Sequence, residues 1–189
     1  MKRRTNAAHR SETALLLIDV INDLDFPEAA QLLKSALPMA RVLKKLKERA
    51  MTASAPVIYV NDNFGQWQSD WKAQVRHCER PESRGREIVK LLRPSEDDFF
   101  VLKPKHSGFY STTLDVLLRH LGCQRVVMTG IATNICVLFT ANDAYMRDYQ
   151  VLVPRDCSAA NTKRDHENAI DQMAKVLKAG TDAGETIQF

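Results

Sequence analysis

The chain has no apolar run long enough to cross a membrane. After the basic start, the first such run covers only 14–18 and stops at Asp19. That start does not resemble a secretory leader either, since the apolar core of a leader is longer. The four cysteines show no C-x-x-C spacing, so neither a zinc knuckle nor a redox pair is indicated. With no export signal, reduced thiols in the cytoplasm are the expected state. Aromatic residues do not alternate with the two basic clusters, Lys2, Arg3, Arg4 and Arg10, then Arg41, Lys44, Lys45, Lys47 and Arg49. The net charge of +4 therefore reads as solvated faces, with neither a nucleic acid nor a membrane as partner. Internal repeats, linkers and low-complexity segments are lacking too. With 189 residues, the chain has material for one core and not two. The expected organisation is a basic, flexible arm at 1–10 followed by a single domain at 11–189.

What the chain does have is alternation. Apolar runs at 13–19, 56–60, 98–102, 125–129 and 150–154 are too short for helices and unbroken by polar residues, the pattern of strands buried on both faces. A sixth strand is expected at 185–189. Helical periodicity appears between them, at 28–53 with Pro38 as a kink or division, at 87–92, at 134–147 and at 163–178. Another helix, capped by Ser111 or Thr112, runs to Leu121 and stops at Gly122. Strands alternating with helices imply a three-layer α/β/α sandwich around a mainly parallel six-stranded sheet, Rossmann-like in plan. The segment 61–81 has no clear period and reads as a long, partly helical excursion of the kind that covers a site.

Polar groups stand where several strands end. Asp19 follows the first strand, Lys103 the third, and Cys136 lies in the first helical turn after the fourth. In an open parallel sheet, ligands bind at that edge. A cysteine at a helix N-terminus beside a cation is expected to favour thiolate, and the free N–H groups of such a turn suit an oxyanion. Alone, each residue has an ordinary reading: a turn aspartate, a solvated lysine, a core cysteine. Lys105 competes with Lys103 on position. For the three groups to meet, the first strand is expected between the second and the third.

The stretches Leu15-Leu-Leu-Ile-Asp-Val-Ile-Asn-Asp23, Lys103-Pro-Lys-His-Ser-Gly-Phe109, Gly130-Ile-Ala-Thr-Asn-Ile-Cys-Val137, Thr140-Ala-Asn-Asp-Ala144 and Val153-Pro-Arg-Asp-Cys-Ser-Ala159 together resemble the isochorismatase-like cysteine hydrolase superfamily. That superfamily includes nicotinamidases, carbamoyl-amide hydrolases and isochorismatase. The resemblance runs over about 13–175. It implies a catalytic triad of Asp19, Lys103 and Cys136. It also implies a cis peptide at Ile131–Ala132, oxyanion donors at the N–H groups of Ala132 and Cys136, and a homo-oligomer, dimer or tetramer.

The chain departs from nicotinamidases where those carry an Asp-x-His metal motif. Here the segment is Asn61-Asp-Asn-Phe-Gly-Gln-Trp67, with no histidine before His77, so no metal and no other cofactor is expected. Asn61, Asp62, Phe64, Trp67 and Ile131 are the candidate substrate contacts. Turn formation and packing of the excursion are the competing roles for the first four. The function implied is hydrolysis of a C–N bond in a small polar amide, ureide or carbamoyl compound through a thioester on Cys136. Enol-ether hydrolysis is the alternative, and a non-catalytic binding protein on the same fold is the third reading.

Overall fold

The computed structural model describes residues 11–65 and 70–189, so the expected arm and Trp67 lie outside the described residues. Strands β1 (Thr13–Ile18), β2 (Val57–Asp62), β3 (Phe99–Lys103), β4 (Arg125–Ile131), β5 (Gln150–Leu152) and β6 (Ser158–Ala159) form one parallel sheet. Its order is β3-β2-β1-β4-β5, with β6 pairing beside β4. All six residues of β1 are buried, as a central parallel strand requires.

The pleat of the strands sorts the core into two layers. Leu15, Leu17, Tyr59 and Val127 pack beneath α1 (Ala29–Thr52), α2 (Trp71–Cys78) and α3 (Arg86–Leu91). Ala14, Leu16, Ile18, Val60 and Met128 face α4 (Leu114–Leu121), α5 (Leu138–Tyr145) and α6 (Lys163–Val176). Side chains alternating along each strand thus feed opposite helical layers, and the sandwich has three layers.

Several local expectations are corrected. Strand β3 is at the sheet edge and not beside β1, so β2 separates the strands that end in Asp19 and Lys103. No strand forms at 185–189. Gly184–Thr186 is a 3-10 turn whose neighbourhood is strapped to α1 by the Arg49 guanidinium, which donates to the carbonyls of Gly184 and Ile187. The sixth strand is the two-residue β6. Pro38 lies inside α1 without dividing it. Helix α4 starts later than expected, and Thr112 serves it from outside by accepting the Leu114 N–H at 3.2 Å.

Gly130 shows how tightly β4 meets β1. Its φ is +110°, and a Cβ there would stand 2.1 Å from the Ile18 carbonyl oxygen. That oxygen is main chain in a central strand and cannot move aside. Gly130→Ala is expected to destabilise the fold by roughly 3 kcal/mol or more, read as a lowered urea midpoint or loss of soluble protein.

Candidate active site

Strand order reverses between β1 and β4: the chain runs outward from β1 through β2 to β3, then returns to the other side of β1. The connections that leave the carboxyl ends of β1 and β4 therefore run to opposite faces of the sheet, the position where ligands bind in open parallel sheets. Asp19 closes β1 and adopts φ +51°, a left-handed conformation uncommon outside glycine. Its N–H donates to the Val60 carbonyl at 3.0 Å, and one carboxylate oxygen accepts the Asp62 N–H at 2.7 Å. The end of β2 thus fixes Asp19 from both sides.

Lys103 comes from two strands away, about 10 Å at ordinary strand spacing. Its four-carbon stem bridges the gap over the end of β2, which is how an edge strand supplies a group to the centre. The ammonium is fully buried and lies 2.9 Å from Asp19 Oδ2 and 3.5 Å from Cys136 Sγ. Its third bond, at 3.1 Å, goes to the Lys105 carbonyl. Three donors meet three acceptors, so the cation is saturated. This settles which lysine enters the site: Lys105 is exposed and contributes only its backbone oxygen.

The electrostatics revise the sequence expectation of a resting thiolate. Burial, joined by the Asp19 charge, pushes the Cys136 thiol up to about 12, and Lys103 only partly opposes this. Burial also raises the Asp19 carboxyl against the pull of Lys103, the Cys136 hydrogen bond and the Asp62 N–H. Burial works to lower Lys103, but Asp19, Cys136 and Asp62 together leave it above the usual lysine value. The resting site is therefore a protonated thiol beside a strengthened base, with a firmly held ammonium against both.

Cys136 is held by the turn after β4. The Ile131–Ala132 peptide is cis. The Ala132 carbonyl then accepts N–H bonds from Ile135 at 3.0 Å and Val137 at 3.2 Å, the second a five-residue step that makes Thr133–Val137 a π-helical turn. Ala132 and Cys136, the two expected oxyanion donors, lie just before and within this turn.

Residues 13–185 match the Isochorismatase domain. The chain belongs to the isochorismatase family. It is 42% identical over 178 residues to the uncharacterized isochorismatase family protein YaaI of Bacillus subtilis (strain 168), covering 94% of this chain and 97% of that one. It is 30% identical over 174 residues to the ureidoacrylate amidohydrolase RutB of Serratia proteamaculans (strain 568), covering 78% and 69%. The crystal structure of N-carbamoylsarcosine amidase from Thermoplasma acidophilum matches with a TM-score of 0.74 at 29% identity, over 95% of this chain and all of that one.

In this isochorismatase family chain the remaining candidates separate. Asn61 is fully buried and spends its amide on Ile21, donating to the carbonyl at 2.8 Å and accepting the N–H at 3.4 Å. It pins the loop after β1, and this bonding uses the side-chain amide that a substrate contact would need. Ile131 is also core, packed in the α1 layer. In the same excursion Trp71, which was not among the candidates, stacks on Phe100 at 5.1 Å. Asp62 remains at the carboxyl edge of the sheet, its carboxylate 3.7 Å from the Lys103 ammonium and partly exposed. Phe64 is 45% exposed on the loop that follows.

Other residues support the cysteine turn and were not singled out from sequence. Thr140 donates to the Cys136 carbonyl at 2.6 Å and accepts the Gly108 N–H at 2.9 Å. Ser107 bonds Asp143, which is paired in turn with Arg147 at 3.1 Å. The loop after β3 is thereby tied to the helix that carries the thiol. The spacing of Cys136 and Thr140, one helical turn apart, was the available signal. Thr133 lies 2.8 Å from His166 of α6, a contact between segments far apart in the chain, which no local pattern announces.

Proposed function

We propose that this protein hydrolyses a C–N bond in a small polar amide, ureide or carbamoyl compound through a thioester on Cys136. The observation that carries the reading is one buried ammonium bound at once to a carboxylate and to a thiol sulfur. Such a site makes a nucleophile on demand. The thiol proton passes to Asp19 as sulfur attacks the carbonyl carbon, and Lys103 balances the charge that develops on sulfur. The tetrahedral oxyanion takes hydrogen bonds from the Ala132 and Cys136 N–H groups. Asp19 returns the proton to the departing nitrogen as the C–N bond breaks. It then deprotonates a water, which attacks the thioester. The C–S bond breaks, and the proton returns to sulfur, leaving acid and amine or ammonia.

The names of RutB and of N-carbamoylsarcosine amidase support a ureido or carbamoyl group as the electrophile. A polar rim formed by Asp62 beside Lys103 agrees with such a substrate, which offers several N–H donors. The test is an ammonia-release screen over small amides, ureides and carbamoyl compounds, with acid quench and mass spectrometry of the Cys136 peptide. The expected result is a substrate-dependent mass gain on Cys136. Release of ammonia with no adduct on Cys136, under conditions that trap thioesters in other cysteine hydrolases, would count against the thioester.

A further inference from the structure

We infer that Asp62 selects substrates with a nitrogen on each side of the carbonyl under attack, by accepting an N–H from the nitrogen that does not leave. This narrows the cysteine-hydrolase reading, on which it rests, from amides in general to ureido and carbamoyl-amine groups. The polar groups beside Asp62 are already engaged. The Lys103 ammonium gives its three protons to Asp19, Cys136 and the Lys105 carbonyl. Asp19 has one oxygen on the Asp62 N–H at 2.7 Å and the other on Lys103 at 2.9 Å. Asp62 differs from both. Its Oδ1 accepts the Phe64 N–H at 2.6 Å, a bond within its own turn. Its Oδ2 meets no donor at hydrogen-bond distance among the described residues, since the Lys103 ammonium stands 3.7 Å away with its protons committed.

The unclaimed oxygen is held ready and within reach. Asp62 ends β2 opposite Lys103 in the parallel register. Its N–H is fixed by Asp19, and its carbonyl accepts the Gln74 side-chain amide at 3.1 Å. The side chain is 34% exposed, so an incoming ligand can meet it. Oδ2 and the Cys136 sulfur touch the same ammonium, at 3.7 Å and 3.5 Å, and so stand no more than about 7 Å apart. A nitrogen on the carbon that sulfur attacks lies about 3 Å from sulfur, and an N–H···O bond adds about 2.9 Å, so the two together fit that span. A simple amide has carbon at this position and offers Asp62 nothing. A carboxylate there would meet it charge against charge. The leaving nitrogen takes its proton from Asp19, so the two carboxylates divide the two nitrogens of a ureide between them.

The experiment compares pairs of Cys136 reagents on the full chain at neutral pH. 4-Nitrophenyl acetate and 4-nitrophenyl carbamate put CH3 or NH2 on the same attacked carbon, and each acylates the sulfur as 4-nitrophenolate leaves. First-turnover release is followed, with the Cys136→Ala rate subtracted. Iodoacetamide and iodoacetate form the second pair, an amide against an anion. A change in the thiol's own reactivity acts on both members of a pair and cancels in their ratio. Asp62→Ala should lower the carbamate-to-acetate ratio by roughly 3- to 10-fold, the loss expected of one hydrogen bond. Asp62→Asn keeps an acceptor for the Phe64 N–H and removes the charge, so its iodoacetamide-to-iodoacetate ratio should fall by a similar factor. A carbamate-to-acetate ratio within twofold of wild type in Asp62→Ala would overturn the inference and leave Asp62 as a counter-charge for Lys103. If Asp62→Ala is insoluble, the iodoacetamide pair in Asp62→Asn decides, and an unchanged ratio there overturns it equally. Nitrophenolate release undiminished in Cys136→Ala would instead remove the underlying reading, and the substrate class with it.

Discussion

Cys136→Ala should lower kcat for the preferred amide by about 10⁴-fold or more while leaving KM within a few-fold of wild type. The asymmetry follows from where Cys136 stands. Its sulfur meets Lys103 at 3.5 Å, and the same ammonium holds Asp19 at 2.9 Å, so it is placed for reaction and contributes little to holding the substrate beforehand. Without it, water must attack the amide directly, helped only by the oxyanion N–H groups and by proximity. Kinetics and a thermal melt of the variant check both halves, since a small truncation at a half-buried position should leave the fold intact. The result also discriminates chemistries. Enol-ether hydrolysis requires an acid to protonate carbon and has no need of sulfur, so a Cys136→Ala enzyme that keeps most of its rate would point there. In that case Asp19 would be the group that matters.

The sequence was most readable where burial is total. The run at 13–18 could be read as a central strand because every residue in it is apolar or small, and Asp19 then marked the strand's end. Lys103 and Cys136 were likewise visible as chemistry placed at strand ends. The order of strands was not visible, because parallel pairing leaves no local pattern that names a neighbour. The expectation that β1 lies between β2 and β3 assumed that reacting groups need adjacent strands, and the reach of a lysine stem removes that need. Two-residue β6 is too short to leave a period. Asn61 looked like a substrate contact because polar residues after a strand often are. Its burial and its bonds to Ile21 depend on how the loop after β1 folds back, which is tertiary information. The thiol's protonation state was misread for a related reason. A helix terminus and a nearby lysine argue for thiolate, but burial and the adjacent carboxylate together outweigh them.

Asp19→Asn should abolish amide turnover and at the same time make Cys136 easier to alkylate, two effects that a simple loss of structure would not produce together. Asparagine keeps the shape and can still accept the Asp62 N–H, which lies 2.7 Å from the carboxylate oxygen it replaces. What it removes is the negative charge. In the wild-type site that charge is the second cause, after burial, holding the thiol up at about 12, while Lys103 pulls the other way. With the carboxylate gone, Lys103 faces the sulfur alone, and the thiol should ionise at lower pH. The pH midpoint of inactivation by iodoacetamide should therefore move down in Asp19→Asn, so that at a fixed mildly alkaline pH the variant is labelled faster than wild type. Turnover moves the opposite way. The freer thiolate has no partner to protonate the leaving nitrogen or to activate water, and kcat should fall by about 10³-fold or more, within the range that positioned acid–base catalysis contributes. Unchanged or slower labelling in a folded Asp19→Asn protein would mean that the carboxylate does not restrain the thiol. Faster labelling with lost turnover would separate the two duties of Asp19, keeping the sulfur protonated at rest and carrying its proton during the reaction.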